Sequence, residues 1–139
     1  MREQANVRLI EELYDAFSRG DVVAVLNLLD PQAELDFEGP KTIPWTGNWH
    51  GREGWAQFFQ TLGANADEIA LKMEPFAAQG DNVVTAGRYQ ARVKLTGQRI
   101  DSPLAHLWTV RNGMVVKCQE LTNTATEAAA CTAGARTAG

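Results

Sequence analysis

The chain changes its hydrophobic period once, and that change constrains the fold more than any other feature. Up to Leu62 the apolar residues recur three and four positions apart, whereas from Glu68 onward they alternate with polar ones. Helices therefore come first and a run of neighbouring strands follows. Val7, Ile10, Leu13, Tyr14 and Phe17 predict an amphipathic helix over residues 3–19, stopped by Gly20. Asp21 can cap a second, shorter helix with Val22, Val25, Leu26 and Leu29 inward, closed by Asp30-Pro31. Residues 33–38 alternate apolar and acidic side chains, the pattern of a half-buried strand. An irregular aromatic loop from Pro44 to Gly51 then opens onto a third helix marked by Trp55, Phe58, Phe59 and Leu62.

Beyond it, the runs around Ile69-Leu71-Met73, Val83 to Leu95, Ile100 to Val110 and Val115 to Leu121 predict four strands. The turns Gly80-Asp81, Thr96-Gly97 and Asn112-Gly113 join them into an antiparallel meander. Helices before strands is the α+β arrangement, in which three helices cover one face of a curved sheet and enclose a pocket. Residues 126–139, rich in Ala, Thr and Gly, have no apolar period and are expected to be a flexible tail, of which residues 127–139 can be deleted at little cost. The folded domain is expected to span residues 1–125.

Composition narrows the function. A chain of 139 residues that is 45% apolar holds one domain and is not disordered. A net charge of −4 with scattered basic residues argues against nucleic acid as a partner. No apolar run approaches membrane-spanning length, and Met1-Arg2-Glu3-Gln4 does not begin a secretory signal, so a cytoplasmic location is expected. With His50 and His106 the only histidines, and Cys118 and Cys131 far apart, no metal cluster is expected. The two thiols are expected to be free.

Four stretches carry a family resemblance: Glu12 to Asp21, Pro44 to Gly54, Ala105 to Gly113, and Val115 to Glu120. Together with the element order they make the chain resemble the NTF2-like superfamily, and within it the SnoaL-like polyketide cyclase branch related to ketosteroid isomerase. The resemblance spans residues 5–125. It implies a cone enclosing an apolar pocket, often in a homodimer, used for isomerisation or cyclisation without metal or organic cofactor. Ketosteroid isomerase carries its base on the first strand, where Phe37 stands here. Epoxide-hydrolase-like members carry Arg-x-Asp before the Thr-Gly turn, where this chain reads Arg88-Tyr89-Gln90. SnoaL-like cyclases place a carboxylate on the last strand and a histidine on the strand before it. Glu120 and His106 match those places, with Glu where the cyclases have Asp.

Whether His106 and Glu120 share a face depends on the Asn112-Gly113 hairpin. A two-residue turn would pair Arg111 with Met114 and set them on opposite faces, while a three-residue turn pairs Val110 with Met114. The second register segregates Trp108, Val110, Val116 and Cys118 from Thr109, Lys117 and Gln119, and it is the one expected. His106 and Glu120 are then either an acid–base pair or a buried structural strut. Candidate substrate contacts are Tyr14, Phe17, Trp45, Trp49, Phe58, Tyr89 and Trp108, although each of Tyr14, Phe17, Phe58 and Trp108 also fits a core position. Trp45 and Trp49 either cap the pocket mouth or pack beneath their loop. His50 is expected to be exposed, Glu34 and Asp36 to face solvent or a dimer partner, and Arg88 to point inward only if its strand bulges.

Three functional classes follow. The leading one is an isomerase- or cyclase-type enzyme acting by general acid–base chemistry on a small apolar, cyclic or polyketide-like molecule, with Glu120 as base and His106 as its partner. The others are a non-catalytic pocket that binds a hydrophobic ligand and a dimeric scaffold with a filled core. Leu107, Thr109, Val115 and Leu121 are expected on the outer sheet face, where they would support a homodimer.

Overall fold

Each expected helix forms and buries part of the stripe that predicts it, although Leu29, expected on the second, opens a strand instead. The first, α1 (Arg2–Ser18), buries Asn6, Ile10, Leu13 and Ala16, and the chain leaves it through Gly20 at φ 72°. The short α2 (Val22–Asn27) begins at Asp21, whose carboxylate accepts a hydrogen bond from the Ala24 amide at 3.1 Å. Trp55, Phe58 and Leu62 are the buried large residues of α3 (Gly51–Asn65). The structure, a computed structural model, describes residues 2–138. No helix among the described residues is long and apolar enough to cross a membrane.

Six strands form one sheet: β1 (Leu29–Phe37), β2 (Gly47–His50), β3 (Ala66–Gln79), β4 (Asn82–Val93), β5 (Arg99–Arg111) and β6 (Met114–Thr122), in the order β2-β1-β6-β5-β4-β3. Only β1 and β6 run parallel, and the β3 to β6 meander is antiparallel as predicted. In β1 the acids Glu34 and Asp36 are half-exposed while Leu35 and Phe37 are buried. The sheet bends where β3 breaks register with β4 between Met73 and Phe76. Gly87 lies opposite Met73 there, and a β-carbon at Gly87 would sit 1.7 Å from the Lys72 carbonyl oxygen, so only glycine lets the two backbones come this close.

Three further expectations need correction. The aromatic loop is not wholly irregular, because residues 47–50 form β2 and pair with β1 from Glu34 to Phe37. The tail is not without regular structure either: Thr124–Ala138 forms a fourth helix, α4. Asn123 caps it by accepting from the Thr126 amide at 3.2 Å, and the Thr96 hydroxyl ties it to the β4–β5 turn by donating to the Ala130 carbonyl at 2.6 Å. Glu127, Ala130 and Cys131, spaced by three and four, are its buried face. Alanine lacks apolar contrast but has the highest helix propensity, and its small size lets this helix lie close on the sheet.

The third correction is the hairpin. Asn112 and Gly113 both have positive φ, 54° and 75°, and make the two-residue turn that pairs Arg111 with Met114. The register then shifts between Thr109 and Val110, with Val110 opposite Val115 and Thr109 opposite Lys117. Val116 is the extra residue of a bulge. The two-residue turn sets Val115 inward, fully buried, where the expected register had it outside, and the bulge brings His106 directly opposite Glu120.

Candidate functional site

The concave face of β4, β5 and β6 encloses a small cavity of about 60 Å³. Its wall is apolar, with Leu35, Phe37, Trp45, Trp55, Phe58 and Trp108 prominent, and its polar members are His106, Glu120, Tyr89 and Cys118. A groove of about 750 Å³ between α1, α3 and β3 leads toward it, lined by Tyr14, Leu71, Met73 and Phe76 among others. Phe17 and Phe59, with ring centroids 5.7 Å apart, line both spaces, as do Leu62, Ile69 and Leu71.

His106 and Glu120 meet because the bulge places them as a cross-strand pair. His106 Nε2 is 3.1 Å from Glu120 Oε1, with the two side chains 6% and 14% exposed. On its other side, His106 Nδ1 is hydrogen-bonded to the Tyr14 hydroxyl. That hydroxyl accepts a hydrogen bond from Trp108 Nε1 at 3.0 Å. Burial pushes the Tyr14 pKa up, with the charges of Cys118 and Glu120 adding to the effect, so the phenol keeps its proton. In a neutral imidazole the nitrogen facing a carboxylate is the one that carries hydrogen, which leaves Nδ1 to accept from Tyr14. In that tautomer donation runs from Trp108 through Tyr14 to His106, and the remaining N–H lies on the side of Glu120. The chain fixes the imidazole ring from behind while Glu120 borders the cavity. Such an arrangement can accept a proton at the carboxylate from a molecule held against the apolar wall.

A residue that the sequence reading missed lies behind the cavity wall, against Trp45. Glu127 of α4 is fully buried. Its Oε2 accepts from Trp45 Nε1 at 3.2 Å, and its Oε1 is hydrogen-bonded to the Thr122 hydroxyl. Burial, chiefly, raises its pKa from 4.5 to about 6; the Glu120 charge adds to the rise, and the hydrogen bonds from Thr122 and Trp45, with the nearby Tyr89 hydroxyl, oppose it. A carboxyl that holds its proton more tightly when folded stabilises the fold fully below about pH 4.5 and loses that contribution as pH rises through about 6. Between those limits, this group should cost the protein about 2 kcal/mol of stability. Denaturant titrations at pH 4.5 and pH 7.5 should show this loss, and Glu127→Gln should remove most of it.

Trp45 is thus a core residue, 1% exposed, that borders the cavity and does not cap its mouth. Trp49 borders neither the cavity nor the groove; its Nε1 donates to the Trp45 carbonyl at 3.2 Å. Phe17, Phe58, Tyr89 and Trp108 line the cavity, while Tyr14 lines the groove and reaches the site through His106. Arg88 points outward and pairs with Asp101 at 2.8 Å, because β4 and β5 keep an unbroken register and no bulge turns it in. His50 is exposed, with Nε2 2.9 Å from the Gln32 side-chain oxygen. Cys118 borders the cavity, but burial holds its thiol protonated and makes it a poor nucleophile. Both cysteines are free. Among the described residues, no group of three His, Cys, Asp or Glu side chains is placed to hold a metal ion.

Comparison with known proteins bears on this geometry. A family model described as a SnoaL-like domain matches residues 10–118. An NTF2-like protein from Burkholderia xenovorans LB400 is 26% identical, covering 93% of this chain and 97% of its own, with a TM-score of 0.84. TerC, co-crystallised with polyporic acid, is 22% identical over 91% of this chain and 98% of its own, with a TM-score of 0.83. A candidate SnoaL-like polyketide cyclase from Jannaschia sp. CCS1 is 21% identical over 94% of each chain, with a TM-score of 0.82. At those identities the last two report the fold alone. A search of curated proteins found no match.

Proposed function

Because the chain belongs to the SnoaL-like domain family, we propose that it is a small-molecule enzyme performing cofactor-free general acid–base chemistry, of isomerase or cyclase type, on an apolar cyclic or polyketide-like molecule. The observation that carries this reading is the His106–Glu120 pair set into an otherwise apolar wall. Glu120 is the base and His106 the group that orients it. The carboxylate takes a hydrogen from the carbon next to a carbonyl, and the electron pair moves onto the carbonyl oxygen. The proton then returns to the same carbon or to another. Structural neighbours that include candidate polyketide cyclases lend support at the level of fold.

The free volume favours a second reading. A cavity of about 60 Å³ admits only part of a substrate unless Phe17 and Phe59 move apart, whereas the groove of about 750 Å³ can hold a whole ligand without chemistry. Solvent exchange separates the two. In D2O the protein should speed deuterium uptake at the carbon beside the carbonyl of 1-indanone, a small cyclic ketone, well beyond buffer alone. Binding of 1-indanone without faster exchange would leave the non-catalytic pocket standing.

The outer sheet face exposes Val84 by 46%, Leu107 by 38% and Leu121 by 57%. Val84 and Leu107 are cross-strand partners, so the apolar surface is contiguous there. A second copy of the chain is the partner proposed for this face, giving a homodimer packed sheet to sheet. Sedimentation should report a dimer at concentrations of about tens of micromolar; a monomer there would contradict it.

A further inference from the structure

Tyr89 is placed on the inward face of β4, lines the cavity together with Glu120 and His106, and is 4% exposed. Its hydroxyl is buried and makes no hydrogen bond in good geometry. Glu127 is its acidic neighbour, close enough to act on the phenol without meeting hydrogen-bond geometry, and the Glu127 oxygens are turned to Trp45 and Thr122. A buried hydroxyl left unpaired is costly, and proteins keep few of them without a reason. Two other buried groups, Asn6 Nδ2 and Thr85 Oγ1, also lack partners, yet neither residue borders the cavity. Burial, and then the charges of Glu127 and Glu120, hold the Tyr89 phenol protonated, so it keeps a hydrogen to donate.

We infer that the Tyr89 hydroxyl is the oxygen-binding element of the site, donating its hydrogen bond to a carbonyl or ether oxygen of the bound molecule while Glu120 faces the carbon skeleton. Trp45 and α4 form the support behind it, so the C-terminal helix contributes to recognition through Glu127. This rests on the reading of the cavity as a ligand site, and it narrows that ligand to an apolar molecule carrying a hydrogen-bond acceptor.

The test compares 1-indanone with indane, which has the same ring frame without the oxygen, by calorimetry on the full chain and on Tyr89→Phe. The native protein should prefer 1-indanone by about tenfold, the scale of one well-placed hydrogen bond in a dry site. Tyr89→Phe should abolish that preference and leave indane binding unchanged. Its melting temperature should be unchanged or higher, since the substitution removes an unpaired hydroxyl; a hydroxyl with a merely structural role would give the opposite shift. A preference that survives in Tyr89→Phe, or one absent from the native protein, overturns the inference even if indane binds and the pocket reading stands. Failure of both molecules to bind overturns the pocket reading and this inference together. A native preference without deuterium exchange leaves the inference standing and removes the proposed chemistry.

Discussion

Deleting residues 124–139 is expected to lower the melting temperature by about 10 °C, corresponding to a loss of about 3 kcal/mol in a domain of this size. The loss has two opposing parts. Removing α4 takes away the cover over Trp45 and Tyr89, both nearly fully buried, and uncovering large aromatics costs about 1.5–3 kcal/mol each. It also strips Trp45 Nε1 of its acceptor and the Thr122 hydroxyl of its partner. Against this, the buried Glu127 carboxylate disappears, which at neutral pH returns about 2 kcal/mol. The balance remains destabilising, and it should be larger at pH 4.5, where Glu127 is protonated and costs nothing. Thermal melts of the full and truncated chains at both pH values check the sign as well as the size. Equal melting temperatures would mean that the helix does not hold the cone closed.

The same helix shows where sequence periodicity stops being informative. Val7 to Phe17 and Trp55 to Leu62 could be placed because large apolar side chains contrast with charged neighbours, and that contrast is the signal a period needs. In α4 the buried positions are Glu127, Ala130 and Cys131 amid further Ala and Thr, so the buried face differs little from the exposed one. Two cues were nevertheless present: the helix propensity of alanine, and Asn123 standing where an N-cap should be. They indicate a helix without indicating that it docks. Nor does a carboxyl advertise burial, since what makes Glu127 tolerable inside is Trp45, 82 positions away in the chain.

The hairpin teaches a different lesson, because the site was located by a partly mistaken register. The expected three-residue turn would have set His106 and Glu120 on one face but in staggered positions. The protein keeps the two-residue turn that Asn-Gly favours and restores the facing with a bulge at Val116. Polar and apolar segregation along β5 and β6 was a sound guide to which residues share a face near the site. It could not tell where the extra residue sits, since a bulge and a longer turn each add one residue to the same strand. The difference matters chemically. Direct opposition, not stagger, is what puts Nε2 3.1 Å from the carboxylate.

That opposition makes Glu120→Gln the most severe change expected for activity and one of the mildest for the fold. The amide has nearly the shape of the carboxylate, and its oxygen can still face the His106 N–H, so the chain from Trp108 through Tyr14 to His106 keeps its donors matched to acceptors. Stability should change by less than about 1 kcal/mol, because a charge in a dry wall is exchanged for a neutral group with the same contacts. Indane should bind as before, since the apolar wall is untouched. What disappears is the group that accepts the proton, and loss of a general base should cost about 10²- to 10⁴-fold in the rate of deuterium uptake by 1-indanone. His106→Asn should fall between the native protein and Glu120→Gln: it leaves the carboxylate in place but frees it to turn away and releases Tyr14 from its acceptor. Native exchange rates in a folded Glu120→Gln protein would place the base elsewhere and reduce the His106–Glu120 pair to a structural strut.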